Sequence, residues 1–294
     1  MSQSPDLPEA MVLSYERRLP GDEMAWVVRW VGMWVALHGL TAVAGQLAQA
    51  WGGMLGWRGF GALGGLQETG EIGCGIVAIV VGLGMARQRR WAWYASLALP
   101  VIPLLGIVLR FGRLGLGSQM IGALSWISGE TLLAAVQFMI LMMVLARAEQ
   151  AGVLQPQRRQ SPGIGPAGND ITFLIQRVGW YWLAFPGIVI LSLAAVPFLR
   201  SQTSGPGGWW SWYSTIYAAG FGLRGVLGLL LVLQYRWPLI GLAVLLPVEL
   251  VATYAAIRLV FPGSTMAMSS TIGGIVQTVG MVVLLVQLYR RARA

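Results

Sequence analysis

Long apolar stretches recur along the chain, separated by short segments rich in Arg, Gly, Pro and Trp. A helix needs about 20 apolar residues to cross a hydrocarbon core about 30 Å thick. Eight stretches meet or approach this length, so we expect an all-α integral membrane protein of eight transmembrane helices. They cover residues 24–46, 70–86, 91–109, 123–146, 171–199, 213–235, 237–261 and 266–289.

The apolar pattern is interrupted near the middle of the chain, where residues 149–170 are rich in Pro, Gly, Gln and Arg. Such a composition is typical of a flexible linker. The linker divides the chain into two halves of four predicted helices each. The predicted parts are a cytoplasmic N-terminal segment 1–23, a first four-helix unit 24–148, the cytoplasmic linker 149–170, a second four-helix unit 171–290 and a cytoplasmic tail 291–294.

The two halves also share a partial internal repeat. Because each unit has an even number of helices, two copies would point the same way and give a parallel 4+4 duplication about an axis normal to the membrane. Chance agreement between apolar segments is the alternative. The matched pairs are Asp22/Asp170, Arg29/Arg177, Trp34/Trp182, Ala36/Ala184, Gly39/Gly187 and Arg90-Trp91/Arg236-Trp237.

The placement of Arg predicts the orientation in the membrane, because cytoplasmic loops carry an excess of basic residues. With both termini inside, the outer loops hold only Arg58, Arg110, Arg113, Arg200 and Arg258. We therefore expect a multi-pass protein of the inner or plasma membrane with cytoplasmic ends. The cytoplasmic segments hold Arg17, Arg18, Arg87, Arg89, Arg90, Arg147, Arg158, Arg159, Arg236, Arg290, Arg291 and Arg293.

Composition supports the membrane assignment and excludes several chemistries. Apolar residues make up 56% of the 294 positions and charged residues 11%, and there is no Lys. A retinal Schiff base and a P-loop both need Lys. A single His, His38, and a single Cys exclude bis-His haem ligation, a classical zinc site and an intrachain disulfide. We expect no catalytic residue, metal or cofactor, although contact with a lipid, or with a pigment through His38, stays open.

Arg224 and Glu249 are the candidates for a functional pair. Each lies about 18 Å from the inner membrane boundary on consecutive antiparallel helices, by the rise of 1.5 Å per residue. An isolated charge at this depth is costly, so we expect the two to form a buried ion pair. The pair could be a gate or proton-coupling element in a transport path, or a static link between helices.

Other polar side chains could extend this site. His38, Gln137 and Gln277 are predicted near the same depth as the ion pair, where they could line a hydrated cavity or make isolated contacts between helices. Glu71 and Glu130 are predicted near the outer ends of their helices. These two acidic residues could be solvated or paired with Arg110 or Arg113, or they could act together as an acidic pair that faces a substrate.

The first unit contains four short motifs: Arg29-x-x-Gly32, His38-Gly39, Glu71-x-x-x-Gly75 with Gly82, and Glu130 followed by Leu132-Leu133. Through these motifs it resembles the DoxX-type family of four-helix membrane proteins. The resemblance covers less than half of the chain, and the Lys expected after the His-Gly pair is missing. It implies a membrane partner of a redox or stress-response complex.

Three functional hypotheses follow. The first is a non-catalytic subunit or scaffold of a larger membrane complex, because the chain has 40 Gly for close helix contacts and few polar groups in its membrane segments. The second is a transporter or channel for a small solute or lipid, with a site between the two units. The third is a DoxX-like partner of a redox complex. The expected partners are membrane lipids and other membrane subunits, not nucleic acid.

Overall fold

Helices are the expected form of these apolar stretches because a helix satisfies its backbone hydrogen bonds internally, as a membrane segment must. The computed structural model describes residues 22–54, 62–101, 120–154, 170–202, 208–260 and 265–293. Within these ranges the chain forms eight helices and no strand. The helices are α1 (Asp22–Met54), α2 (Ala62–Ala86), α3 (Arg90–Ser96), α4 (Met120–Gln150), α5 (Asp170–Gln202), α6 (Gly208–Val232), α7 (Pro238–Val260) and α8 (Thr265–Arg293).

Four stretches of the described chain are long and apolar enough to cross a membrane. They are Glu23–Ala48, Thr131–Gln150, Pro238–Ala255 and Thr271–Arg293. Ile72–Ala86 and Ala219–Val232 are shorter apolar helical stretches. By length and composition the described helices are thus compatible with a helical membrane protein, and the count of eight spans stays a prediction.

In the third predicted span, 91–109, the first helix ends earlier than expected. Helix α3 ends at Ser96, and the amides of Leu97, Ala98 and Leu99 each bond the carbonyl three residues earlier. Such bonds define the tighter 3₁₀ turn, which is common at helix ends. Pro100 follows directly, and a proline disfavours helical backbone in the residue before it. Residues 102–109, the remainder of the predicted span, lie outside the described ranges.

The core of the protein lies between α1 and α5. Helix α1 packs along α2 and α8, while α5 packs along α6 and α4, and the two central helices also touch each other. Their facing side chains are large and buried, among them Trp30 and Trp34 on α1 and Leu174 and Tyr181 on α5. Helix α7 packs against α6 and α8, and α3 packs against α2.

Helices α1 and α2 cross at close range because small residues line the contact. A β-carbon on Gly82 would lie 2.4 Å from the backbone nitrogen of Ala36 and 2.6 Å from the carbonyl oxygen of Gly32. No side chain fits at such a distance. Transmembrane helices that meet through small residues gain dispersion contacts along their backbones.

The turns that end α2 and α6 have the same hydrogen bonds. Gln88 and Gln234 adopt left-handed backbone, with φ of 59° and 69°. The amide after each of them donates to a carbonyl five residues earlier, which is the bond that identifies a Schellman cap. The bonds are Arg89 N–H to Gly84 O at 2.9 Å and Tyr235 N–H to Leu230 O at 3.0 Å.

Candidate functional site

His38 links α1 to α5. Its Nδ1 lies 3.0 Å from the carbonyl oxygen of Trp34, so this nitrogen carries the hydrogen and donates it. Nε2 is then the acceptor for the Tyr181 hydroxyl at 3.2 Å. The rings of Trp34 and Tyr181 meet edge-on with centroids 5.1 Å apart. Both nitrogens of His38 are therefore engaged by the chain itself in this structure.

Arg224 on α6 and Glu249 on α7 form an ion pair. Arg224 Nε donates to Glu249 Oε2 at 2.6 Å, and Arg224 Nη2 donates to the same oxygen. The two side chains are only 19% and 15% exposed. Glu249 Oε1 is buried and has no hydrogen-bond partner within the described ranges. One carboxylate oxygen thus carries the interaction.

Three aromatic rings surround the Arg224 guanidinium. Its central carbon lies 5.4 Å from the Trp182 ring centroid, 5.3 Å from that of Phe185 and 5.1 Å from that of Phe221. Phe185 stacks on Phe221 with centroids 5.3 Å apart. A cation over an aromatic face is attracted by the ring's quadrupole, most strongly when water is excluded. We call Arg224, Glu249, Trp182, Phe185 and Phe221 the Arg224 cluster.

Two glycines make room for the Arg224 cluster on α6. A β-carbon on Gly220 would lie 2.7 Å from Glu249 Oε1, and one on Gly225 would lie 2.0 Å from the ring of Pro186. Glu249 therefore rests directly on the backbone of α6, and α5 approaches the same helix from another side. Three helices meet at Arg224.

The structure brings the predicted polar layer together only in part. His38 reaches the Arg224 cluster through ring contacts of Tyr181 with Trp182 and Phe185, whose centroids each lie 5.4 Å from that of Tyr181. Gln137 is half-buried and Gln277 is exposed. Among the contacts of the described residues, none joins either glutamine to the ion pair.

The two predicted outer acidic residues lie in helices, but the structure does not describe their side chains. Glu71 and Glu130 belong to α2 and α4, but their side chains lie outside the described residues. Within the described part of the chain, no group of three His, Cys, Asp or Glu residues could hold a metal ion.

A small, partly open cavity of about 10 Å³ lies at the junction of α1, α4, α5 and α8. A space of this order holds about one water molecule. Its lining is apolar apart from Arg177 and includes Trp30 and Trp34 of α1, Ile140 of α4 and Met281 of α8. This cavity is thus too small for a solute much larger than one water molecule.

The aromatic part of the Arg224 cluster was missed by reasoning from sequence. A signal was present, because Trp182 and Phe185, like Phe221 and Arg224, are three residues apart and so share one face of a helix. What the sequence did not reveal is that the two faces meet.

Comparisons of this chain with protein-family models, with curated proteins and with solved structures found no match. A functional assignment therefore depends on the geometry of the described residues. The resemblance to DoxX-type proteins stays a prediction.

Proposed function

We propose that this chain is a non-catalytic subunit or scaffold of a larger membrane complex. The observation that carries the proposal is the Arg224 cluster, in which a largely buried ion pair joins two helices and is packed by rings from a third. Separating the two charges inside a membrane would leave each unpaired at high cost. The cluster therefore favours one fixed helix arrangement, as a scaffold requires.

The outer surface fits this role. Large apolar side chains point outward along α7, where Val244, Val248 and Val251 are 61%, 59% and 67% exposed. Exposed apolar surface of this extent needs lipid or another membrane protein beside it. We propose membrane lipids and other membrane subunits as its partners.

We also propose that the chain is a tandem pair of parallel four-helix units. The matching caps after α2 and α6 support this, because left-handed glutamines at equivalent places are uncommon. The helix contacts support it too. A two-fold axis that exchanges α1 with α5 and α4 with α8 relates the α1–α8 contact to the α4–α5 contact, and α1–α2 to α5–α6.

The eight-span topology with both termini in the cytoplasm belongs to the same proposal. Tyr94 of α3 donates to Glu149 near the end of α4 at 2.7 Å, and Arg236 before α7 donates to the Ala292 carbonyl near the end of α8. These contacts gather Arg-rich helix ends on one side, which the positive-inside rule assigns to the cytoplasm.

The scaffold role is tested by extraction from native membranes in a gentle detergent, followed by blue-native electrophoresis and identification of co-migrating proteins. We expect the chain in one defined complex with other membrane proteins. Migration as an isolated chain, with nothing co-purifying, would contradict the proposal.

A transporter or channel with Arg224 and Glu249 as its gate is the second candidate. The observation that favours it is Glu249 Oε1, a buried acceptor without a donor in the described structure. The chain has one Cys, so Cys74→Ser provides a cysteine-free background. In it, a cysteine introduced by Thr253→Cys, one turn from Glu249, would react with a membrane-impermeant maleimide only if water reaches this layer. Arg87→Cys, at an exposed position after α2, is the positive control, with the maleimide applied to open membrane fragments because this position is predicted to be cytoplasmic.

A DoxX-like partner of a redox complex is the third candidate. The glycines that carry the resemblance have a packing role here: Gly32 and Gly82 lie in the α1–α2 contact, as do Gly39 and Gly75. Redox proteins among the co-migrating partners would favour this candidate over a scaffold of another kind.

A further inference from the structure

Two guanidinium groups lie against one ring where α4 ends and α5 begins. The central carbons of Arg147 and Arg177 are 4.7 Å and 4.8 Å from the centroid of Phe173. Within the described residues their one acidic partner is Asp170, whose Oδ1 is 2.6 Å from Arg147 Nε. Within the described ranges Arg177 forms no ion pair, and its Nε is buried without a hydrogen-bond partner. This guanidinium cluster therefore carries one positive charge in excess.

The surroundings of Arg177 make that excess charge costly. Arg177 lies about 10 Å along the helix axis from the start of α5, by the rise per residue. Leu174 and Val178, its neighbours on α5, are buried, and all three line the cavity at the helix junction. A half-buried cation among apolar groups is stabilised by an anion that accepts its N–H donors.

A phosphate group fits this requirement. The planar guanidinium presents donors in a fixed fork that matches phosphate oxygens. Basic pockets between membrane helices on the cytoplasmic side are typical sites for anionic lipid headgroups. Asp170 does not fill this role because, within the described residues, its ion pair is with Arg147 and none joins it to Arg177.

The surface beside the guanidinium cluster favours a lipid as the source of the phosphate. Met142 and Met143, about one turn before Arg147 on α4, are 43% and 38% exposed, and Met139 is 50% exposed. An acyl chain could lie along this flexible apolar surface while the headgroup phosphate meets the arginines. Free phosphate has no acyl chain, so this apolar surface would not strengthen its binding.

We propose that Arg177, with Arg147 beside it, binds the phosphate of an anionic phospholipid at the junction of α4 and α5. The site requires that the chain lies in a membrane, but it does not depend on the scaffold role. A chain that migrates alone in the blue-native experiment could still bind lipid here.

The test uses the full chain purified in neutral detergent. We expect added phosphatidylglycerol to raise its melting temperature by several degrees and phosphatidylcholine to leave it unchanged. Arg177→Gln should lose at least half of the shift and bind phosphatidylglycerol about ten-fold more weakly, which is about 1.4 kcal/mol. Arg29→Gln, which removes an exposed arginine near the start of α1, is the matched control and should keep the full shift.

Two further measurements keep the test decisive. Native mass spectrometry of the unmodified chain should retain phosphatidylglycerol in preference to phosphatidylcholine, even if Arg177→Gln does not fold. Equal retention of the two lipids, or equal loss of the shift in both Arg variants, would overturn the site. Inorganic phosphate at millimolar concentration should give no shift, and a shift as large as that of the lipid would overturn the lipid assignment.

Discussion

The α1–α2 pair and the α5–α6 pair share one kind of contact, in which a glycine of one helix lies against a glycine of the other. A β-carbon on Gly82 would lie 2.6 Å from the Gly32 carbonyl oxygen, and one on Gly228 would lie 2.8 Å from the Gly179 carbonyl oxygen. In both pairs, glycine faces glycine and the backbones of the two helices touch. Each contact joins the first two helices of a proposed four-helix unit.

The two pairs differ about two turns further along α1 and α5. In the first pair the backbones stay together, since a β-carbon on Gly39 would lie 2.4 Å from the Gly75 carbonyl oxygen. In the second pair the ring of Pro186 lies against Gly225, and Arg224 with its aromatic neighbours occupies the adjoining space. Side chains replace backbone contact at this level.

The glycine contacts and the ion pair have different roles in helix packing. The α1–α2 pair demonstrates that helices of this chain can pack closely without a charge. The Arg224–Glu249 ion pair joins α6 to α7, not α6 to α5. We infer that glycine contacts hold neighbouring helices in pairs, and that the ion pair attaches a third helix in the second half.

The largest expected effect comes from removing one charge of the ion pair. Arg224→Ala leaves Glu249 unpaired in an apolar layer, and we expect a loss of about 3–5 kcal/mol in the free energy of unfolding. The double variant Arg224→Leu with Glu249→Leu should recover most of this loss, because no unpaired charge remains. Thermal denaturation in detergent measures both, with Arg87→Ala as an exposed control. A double variant no more stable than the single one would show that the ion pair itself is needed.

An intermediate effect is expected at the shared glycine contacts. Gly82→Ala and Gly228→Ala should each destabilise by about 1–3 kcal/mol, since the added methyl group forces the backbones apart. Gly82→Ala should have the larger effect because its closest contact is 2.4 Å against 2.8 Å. Denaturation of the two variants under identical conditions provides the comparison.

Matched controls exist on the same two helices. Gly73 on α2 and Gly222 on α6 have no atom within 4 Å of an added β-carbon. Gly73→Ala and Gly222→Ala should be neutral or stabilising by up to about 1 kcal/mol, because Ala favours helix more than Gly. If all four variants lost similar stability, helix contact would not be the reason for these glycines.

The smallest effect is expected at the matching caps. Gln88→Gly and Gln234→Gly should each stabilise by about 1 kcal/mol, because glycine adopts left-handed backbone without a steric penalty. The two gains should be similar, as the turns have the same bonds. Alanine at either position keeps the β-carbon and should bring no gain. Opposite signs at the two sites in denaturation measurements would separate the turns and weaken the proposal of duplicated units.

The ion pair could be predicted from the sequence, whereas the aromatic rings around it could not. The rise of a helix per residue gives a depth, and Arg224 and Glu249 have the same depth on consecutive helices. The position of Phe185 beside Arg224 depends on how α5 is rotated about its axis. Helices that are apolar on all sides carry little pattern from which to read that rotation.

The proposed internal repeat also shows what the sequence could not reveal. Matching identical residues pairs Ala36 with Ala184. In the glycine contacts, Ala36 lies against Gly82, and Leu183 lies in the same way against Gly228. In the packing, Ala36 therefore corresponds to Leu183, the residue before Ala184. One residue turns a helix by about 100°, which presents a different face to its neighbour.

The amino-acid sequence alone indicates most of the helices and the spacing of their charges along the helix axis, because backbone hydrogen bonds within a helix are local and the rise per residue is constant. Tertiary packing decides which helix faces contact each other. Trp34 meets Tyr181 and not its sequence counterpart Trp182, and Arg224 meets rings from α5. These choices are made by the fit of small and large residues between helices, since hydrophobicity does not distinguish one apolar face from another.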